Sequence, residues 1–149
     1  MSINGIRLLK YPTTFTDDRG TYHEIINSSL VNFNVRQVSC VENNMDVVRG
    51  MHGDWGTAKI VSVLAGSVLQ VCLDCRKSST TYGKVFSSTL DAQESVAIYI
   101  PPGVANGFRV LTDKALYMYL QDTLYGEFEQ FTVSPETGNL SDVFGDLKN

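Results

Sequence analysis

The sequence has few histidines, few cysteines and no long hydrophobic run. Its 149 residues include two histidines and three cysteines, and the net charge is −4. No apolar stretch approaches the roughly 20 residues that a transmembrane helix requires, so no membrane span is expected. The acidic balance argues against nucleic acid or an anionic membrane as the main partner. The amino-terminal residues lack the basic and then apolar order of a signal peptide, which predicts a cytoplasmic protein.

The cysteines are expected to be reduced thiols. Their odd number, without an export signal, favours a reducing compartment over a disulfide framework. Cys72 and Cys75 have the spacing of a metal-binding or redox pair. However, they lie in a strand-like stretch, 69–75, in which residues three apart point to opposite faces. We therefore predict structural roles for both thiols and no shared metal ion.

The sequence also lacks a convincing helical period. Its apolar residues come in short runs rich in Val, Ile, Tyr and Phe, separated by Gly, Pro, Asn, Asp and Ser, which is typical of β-strands. The predicted strands are 6–11, 22–26, 35–41, 59–64, 68–74, 84–90, 95–100, 107–111 and 115–121. We predict a β-hairpin between 59–64 and 68–74, and another strand pair around 112–114. Residues 135–149 are predicted as turn or a short terminal helix.

The number and spacing of these strands predict a single all-β domain. Eight or nine short strands at intervals of about 10 residues are typical of a β-sandwich or barrel. No repeat, low-complexity tract or linker marks a boundary, so residues 1–149 are expected to form one domain. The interior of a small barrel can hold one ligand, and residues from several strands would converge there.

The stretch Val47–Asp54 combines a histidine, an arginine and a carboxylate, side chains that can transfer protons or bind anions. His52 lies three residues after Arg49 and two before Asp54. Histidine takes and returns a proton near neutral pH, and arginine binds anions. Taken alone, the stretch favours a structural histidine in a turn over a base that acts on a negatively charged substrate.

Four stretches change that interpretation because they occur together and in order. They are Phe15–Glu24, Val48–His52, Asp74–Lys84 and Ile98–Phe108, with Tyr119 and Tyr125 beyond the last. Their residues and gaps resemble the dTDP-4-dehydrorhamnose 3,5-epimerase family, which are cupin-type jelly-roll enzymes of nucleotide-sugar metabolism. The stretch Arg49–Asp54, with its short gap to Lys59, looks closer to a branch that acts on GDP-linked 4-keto-heptoses than to the rhamnose enzymes.

The resemblance implies acid–base chemistry without a metal or redox cofactor. A 4-keto sugar has acidic C–H bonds at C3 and C5, because the carbanion delocalises onto the carbonyl oxygen. Epimerisation removes a proton from one face and returns one to the other, which needs a base, an opposed acid and a group that holds the enolate charge. By resemblance, His52 is the base, Tyr119 is the acid and Lys59 is the cation beside the oxyanion.

The resemblance also implies nucleotide-binding residues and a homodimer. Arg19, Tyr22 and Glu24 match residues that hold the nucleotide, in a segment that reaches into the neighbouring subunit's site in the family. Further matches line the sugar and pyrophosphate region or stand near the base: Gln37, Arg49, Asn106 and Tyr125. The implied substrate is a dTDP- or GDP-linked 4-keto-6-deoxy sugar of deoxysugar or surface-polysaccharide biosynthesis.

Two departures from the family leave alternative functions open. Asn106 stands where the family has a histidine, and 130–137 lacks the Trp-Asn-Asp-Pro-like stretch whose aspartate pairs with the base. The candidates for that supporting carboxylate are Asp54, Glu136, Asp142 and Asp146. We predict an epimerase acting at C3, C5 or both. The alternatives are a 3,4-ketoisomerase on the same substrates and a homologue that binds a nucleotide sugar without turnover. A metal-dependent cupin oxygenase is not expected, because it needs several clustered His and carboxylate ligands.

Overall fold

A computed structural model describes residues 2–145, which form twelve strands and one short helix. The elements are β1 Arg7–Lys10, β2 Thr13–Asp17, β3 Gly20–Glu24, β4 Gln37–Asn44, β5 Val48–Asp54, β6 Lys59–Ala65, β7 Ser67–Asp74, β8 Val85–Asp91, β9 Val96–Ile100, β10 Val104–Val110, β11 Lys114–Gln121, β12 Gln130–Thr132 and α1 Leu140–Phe144. No helix in this part of the chain is long and apolar enough to cross a membrane.

Ten strands form two antiparallel sheets that face each other. The first sheet has the order β1-β9-β6-β11-β4 and the second β12-β5-β10-β7-β8, while β2 and β3 form a separate hairpin. The consecutive strands β6 and β7, β8 and β9, and β10 and β11 each divide between the two sheets. This crossing pattern is that of a jelly roll. The predicted all-β, cupin-type architecture is therefore confirmed.

The two predicted strand pairs are wrong. β6 pairs with β9 and β11, whereas β7 pairs with β8 and β10, although only Gly66 separates β6 from β7. Gly66 has a φ of +78°, and a Cβ there would lie 2.2 Å from the carbonyl oxygen of Lys114, so this turn between sheets requires glycine. β10 and β11, on either side of 112–114, likewise lie in opposite sheets. A turn pattern shows that the chain reverses, but it does not show whether the flanking strands pair.

The sequence does not predict β2, β5 or β12. β5 is the clearest case, because its stretch Arg49–Asp54 is rich in glycine and charge, which are depleted in strands. It is nevertheless extended, since β10 pairs with one of its edges and β12 with the other. For 135–149, where the sequence predicts turn or a short terminal helix, the described residues contain the five-residue helix α1.

Three apolar clusters hold the sheets in place. The main core fills the space between the sheets, where the rings of Phe108 and Tyr117 stack with centroids 4.1 Å apart. A second cluster covers the outer face of the first sheet. A third covers the outer face of the second sheet, where Leu140 and Phe144 of α1 pack near Met51 of β5. Both faces of the central strands are thus packed, which fixes the direction of their side chains.

Cys72, in β7, and Cys75, one residue beyond its end, lie on opposite sides of the second sheet, as predicted. Cys72 is fully buried in the main core, whereas Cys75 packs against the outer cluster that contains α1. Both are free thiols, and burial raises the pKa of Cys72 to about 12. Within residues 2–145, no group of three His, Cys, Asp or Glu side chains is arranged to hold a metal ion.

Candidate active site

A cavity of about 230 Å³ opens between the two sheets, where β5 and β11 end and β6 begins. Its walls come from both sheets and from the segment that follows β11. The lining residues are His52, Gly53, Asp54, Lys59, Tyr119, Gln121, Tyr125 and Gln130. The structure therefore brings together the three residues predicted to be catalytic, and Tyr125 with them.

A bulge in β5 sets the direction of the His52 side chain. On β10, Asn106 lies opposite His52 and Phe108 lies opposite Arg49, so β5 contains one extra residue in this interval. Gly50, in that interval, has a φ of +107°, and a Cβ there would lie 2.7 Å from the carbonyl oxygen of Asn106. Opposite residues of an antiparallel pair share a face. Arg49 and His52 therefore both face the interior, which strict alternation would not allow.

The opposite wall belongs to the first sheet. Tyr119 follows Tyr117 on the same face of β11, with ring centroids 6.4 Å apart, which confirms that the two tyrosines share a face. Lys59 is the first residue of β6 and lies directly opposite Gln121 of β11. Tyr119 and Lys59 thus approach the cavity from one sheet and His52 approaches it from the other.

Of the two tyrosines, only Tyr119 lines the cavity. Tyr117 is buried in the main core, where its hydroxyl donates a 2.7 Å hydrogen bond to Oε1 of Gln70. Burial raises the pKa of Tyr117 well above its ordinary value, so it stays protonated and structural.

The electrostatics of the cavity favour a neutral imidazole. Partial burial lowers the pKa of His52 below its ordinary 6.5, and the positive charge of Lys59 lowers it further. Burial also lowers the pKa of Lys59, an effect that the negative charge of Asp54 opposes. At neutral pH, His52 is therefore in the form that accepts a proton.

No carboxylate supports the imidazole within residues 2–145. Oδ1 of Asp54 accepts hydrogen bonds from the backbone N–H groups of Gly56 and Thr57. It therefore stabilises the loop between β5 and β6. The ion pairs in the described chain involve arginines, and neither Glu136 nor Asp142 pairs with His52. Asp146, the fourth candidate, lies outside the described residues.

Gln37 and Tyr125 form a contact at the cavity mouth. Oε1 of Gln37 accepts a 2.9 Å hydrogen bond from the backbone N–H of Tyr125, and its amide nitrogen lies 3.3 Å from Oγ of Ser39. Tyr125 is 73% exposed, so its side chain is accessible to a ligand. Gln37 holds the segment that carries Tyr125 and does not itself line the cavity.

Two further candidates, Arg49 and Asn106, share the inner face of the second sheet but do not line the cavity. Nε of Arg49 donates to Oδ1 of Asn43, a buried residue of β4, and so links the two sheets. The amide nitrogen of Asn106 donates to the carbonyl oxygen of His52 at 3.2 Å. Asn106 therefore contacts the backbone of the predicted base and not its imidazole.

The predicted nucleotide-binding residues do not line this cavity. Arg19, Tyr22 and Glu24 lie on the β2–β3 hairpin, where the Arg19 side chain is 88% exposed and pairs with Asp17 at 2.6 Å. Tyr22 is 60% exposed, and Oε1 of Glu24 accepts a hydrogen bond from Asn27. Within one chain, the catalytic and nucleotide-binding candidates therefore form two separate groups.

Besides Gly53, which has no side chain, two cavity residues were not among the predicted site residues: Gln121 and Gln130. Gln121 follows Tyr119 by two positions, so strand periodicity alone places both on one face. Gln130 begins β12, a strand whose sequence gives no clear signal. The first residue could have been found from the sequence, but the second could not.

A histidine, a tyrosine and a lysine that meet between the sheets of a jelly roll define a cupin-type site for acid–base chemistry. Residues 1–141 match the family model described as dTDP-4-dehydrorhamnose 3,5-epimerase. The chain belongs to this family, whose members are isomerases of nucleotide-linked sugars. The predicted family and enzyme class are thereby confirmed.

Individual relatives agree with this assignment. The dTDP-4-dehydrorhamnose 3,5-epimerase of Shigella flexneri is 33% identical over 132 residues, which cover 83% of this chain and 73% of the relative. The enzyme of the same description from Mycobacterium tuberculosis (strain CDC 1551 / Oshkosh) is 34% identical over 131 residues, 82% of this chain and 65% of the relative. This chain therefore spans about two thirds to three quarters of their length.

Solved structures show the same fold. ChmJ, a 3'-monoepimerase from Streptomyces bikiniensis in complex with dTDP-quinovose, superposes with a TM-score of 0.89 at 28% identity, over 98% of this chain and 78% of that one. A dTDP-6-deoxy-D-glucose-3,5-epimerase from Legionella pneumophila, in complex with dTDP-4-keto-L-rhamnose, superposes with a TM-score of 0.86 at 26% identity. The superposition covers 95% of this chain and 79% of that one.

Proposed function

We propose that this protein inverts C3, C5 or both of a dTDP-linked 4-keto-6-deoxy sugar. The observation that carries the proposal is the placement of a neutral imidazole, His52, and a phenol, Tyr119, on opposing walls of one cavity that also contains Lys59. Family membership supplies the substrate class, and the two solved relatives named above were crystallised with dTDP-linked sugars.

The proposed reaction is a proton transfer through an enolate. The His52 imidazole removes a proton from the carbon beside the keto group, and the C–H electron pair moves onto the carbonyl oxygen. The Lys59 ammonium group stabilises the resulting negative charge. Tyr119 then donates its phenolic proton to the opposite face of the same carbon, and the carbonyl reforms. Proton exchange with water restores the neutral imidazole and the phenol, so substrate and product differ only in configuration.

We also propose that the protein acts as a homodimer in which the hairpin serves the partner's site. An isolated two-stranded hairpin is marginally stable in water, which favours an arrangement in which β2 and β3 pack against another surface. The exposed Phe15 and Tyr22 provide apolar area for that contact, and Arg19 provides a fork suited to a phosphate. Tyr22 can stack on the base, while Glu24 can accept hydrogen bonds from it.

The three free cysteines fit a reducing compartment, and we place the protein in the cytoplasm. The nucleobase of the substrate is a separate choice. The relatives named above favour thymine, whereas the Arg49–Asp54 stretch resembles enzymes of GDP-linked sugars.

The experiment is solvent exchange in D₂O, with dTDP-4-keto-6-deoxyglucose and its GDP-linked counterpart supplied in parallel. Deuterium at C3 or C5 of the dTDP sugar, accompanied by inversion, supports the proposal, whereas faster exchange into the GDP sugar would contradict the dTDP assignment. A deuterated 3-keto product would instead indicate the ketoisomerase. Tight binding without exchange would indicate a binding protein, and failure to bind either sugar would contradict the proposal.

A further inference from the structure

Gln121 is a buried polar residue at the cavity wall whose role the mechanism above does not explain. It is the last residue of β11, only 3% exposed, and it lies directly opposite Lys59 on one side and Gln37 on the other. It shares a strand face with Tyr119, two residues earlier. Its side chain therefore lies at the cavity wall, beside Lys59 and on the same face as Tyr119.

The side-chain amide of Gln121 differs from the other buried amides of residues 2–145. Gln70 accepts a hydrogen bond from Tyr117 and lies 3.8 Å from the Cys72 sulfur. Asn43 accepts from Arg49 and donates to two backbone carbonyl oxygens. Gln121, in contrast, makes no side-chain hydrogen bond with any described residue.

The small exposure of Gln121 is directed into the cavity. In the described part of the chain, every side-chain nitrogen or oxygen that is sealed from solvent has a hydrogen-bond partner. The unpartnered amide atoms of Gln121 are therefore accessible, and the accessible space that the residue lines is the cavity with His52, Lys59 and Tyr119. An amide removed from bulk water without a protein partner is unfavourable for folding unless a ligand or water completes its bonds.

We propose that Gln121 is a substrate-binding residue that hydrogen-bonds a hydroxyl group of the sugar near its keto group. This inference rests on the proposed function. An amide offers both donors and an acceptor, so it matches a hydroxyl group, which also has both. Lys59, directly across the strand pair, would hold the keto oxygen, which places the neighbouring ring substituents within reach of Gln121. The residue thus selects a hydroxylated sugar over one that lacks the group.

The test compares Gln121→Met, which keeps the length of the side chain but removes its polar atoms, with wild type. We expect affinity for dTDP-4-keto-6-deoxyglucose to fall by about 10- to 100-fold, while affinity for dTDP changes less than about twofold. The melting temperature without ligand should not fall, because no hydrogen bond within the described chain is lost. Gln121→Glu, which keeps an acceptor, should retain an intermediate sugar affinity. Gln93→Met, on an exposed turn, is the matched control.

Three results would overturn the inference. They are unchanged sugar affinity in both Gln121 variants, an equal loss of affinity for dTDP and for the sugar, and a marked fall in the melting temperature of Gln121→Met. If wild type itself binds the dTDP sugar no more tightly than dTDP and exchanges no deuterium, the proposed function fails and this inference fails with it. If wild type is active and Gln121→Met equals it, this inference alone fails.

Discussion

Oε1 of Gln37 accepts a 2.9 Å hydrogen bond from the backbone N–H of Tyr125. The contact ties the segment after β11, which carries an exposed aromatic ring to the cavity mouth, to the edge strand β4. An edge strand thus orders a residue of the site without contacting the cavity.

Replacing Gln37 with Met should weaken substrate binding more than catalysis. The loss of one hydrogen bond of about 1 kcal/mol loosens Tyr125, so KM should rise about fivefold with little change in kcat. Steady-state kinetics on the dTDP sugar measures both values. Gln37→Glu keeps the accepting oxygen and should behave almost as wild type. An equal loss of activity in both variants would show that the contact does not position Tyr125.

Tyr119→Phe should separate exchange from inversion. Without the phenolic proton, His52 can still remove a proton and return a deuteron to the same face, so the substrate should gain deuterium while keeping its configuration. We expect inversion to fall by about 100-fold or more. NMR of the product in D₂O reports both events. Tyr117→Phe is the control, because it removes the bond to Gln70 in the core and should lower stability while leaving the ratio of inversion to exchange unchanged.

His52→Ala should abolish exchange and retain nucleotide binding. Removal of the base is expected to reduce deuterium incorporation by about 10²- to 10⁴-fold, while affinity for dTDP stays near that of wild type. Calorimetry with dTDP and NMR with the dTDP sugar test the two parts. Full exchange activity in this variant would exclude His52 as the base.

The pH dependence of activity should show that the positive charge of Lys59 lowers the pKa of His52. Because burial and Lys59 lower the pKa of His52 below 6.5, the acid limb of activity should lie below that pH. Lys59→Met removes the charge, so the pKa of the imidazole should rise, whereas Lys59→Arg should leave it low. Titration of the His52 NMR signal, assigned with His52→Asn, measures this without relying on activity. A pKa that is unchanged in Lys59→Met would contradict the coupling.

The lowered pKa of His52 also affects folding stability. The unfolded chain binds a proton at His52 near pH 6.5, whereas the folded chain binds it only at a lower pH. As pH falls through this interval, the unfolded state gains protons first, so the contribution of His52 disfavours folding. His52→Asn should therefore lose stability less steeply than wild type between these two pKa values in denaturant titrations.

Mixing two inactive variants should restore activity if each site is shared between subunits. Arg19→Ala combined with His52→Ala gives mixed dimers in which one of two sites carries both defects and the other carries none. Random reassortment should therefore recover about one quarter of wild-type activity. Lys59→Met mixed with His52→Ala should recover nothing, because each variant disables the cavity of its own chain and both sites of a mixed dimer are then defective. No recovery in the first mixture would contradict the exchanged hairpin.

Gly50→Ala should test the β5 bulge. Its Cβ would lie 2.7 Å from the carbonyl oxygen of Asn106 and from Cα of Gly107, both backbone atoms, at a φ of +107°. We expect a loss of about 2 kcal/mol or more in the free energy of unfolding, together with reduced activity because His52 is displaced. Gly83→Ala, at a φ of +80° with no atom within 4 Å of the new Cβ, should cost only about 1 kcal/mol. Equal effects in both variants would mean that the close approach at Gly50 is unimportant.

Features that depend only on neighbouring positions follow from local sequence patterns. Alternation along a strand placed Tyr117 and Tyr119 on one face and Cys72 and Cys75 on opposite faces. The short apolar runs determined the all-β class, and the ordered motifs pointed to His52, Lys59 and Tyr119 as members of one site.

The pairing of strands and the contacts between distant residues, in contrast, emerge only in the folded chain. A turn at Gly66 is compatible both with a hairpin of β6 and β7 and with two strands in opposite sheets. The sheet that each strand joins depends on partners far along the chain. The bulge that turns Arg49 and His52 to the same side exists because β10 pairs across it. The unpartnered amide of Gln121 is defined by what surrounds it in space. These properties arise from long-range packing, which a local sequence pattern does not encode.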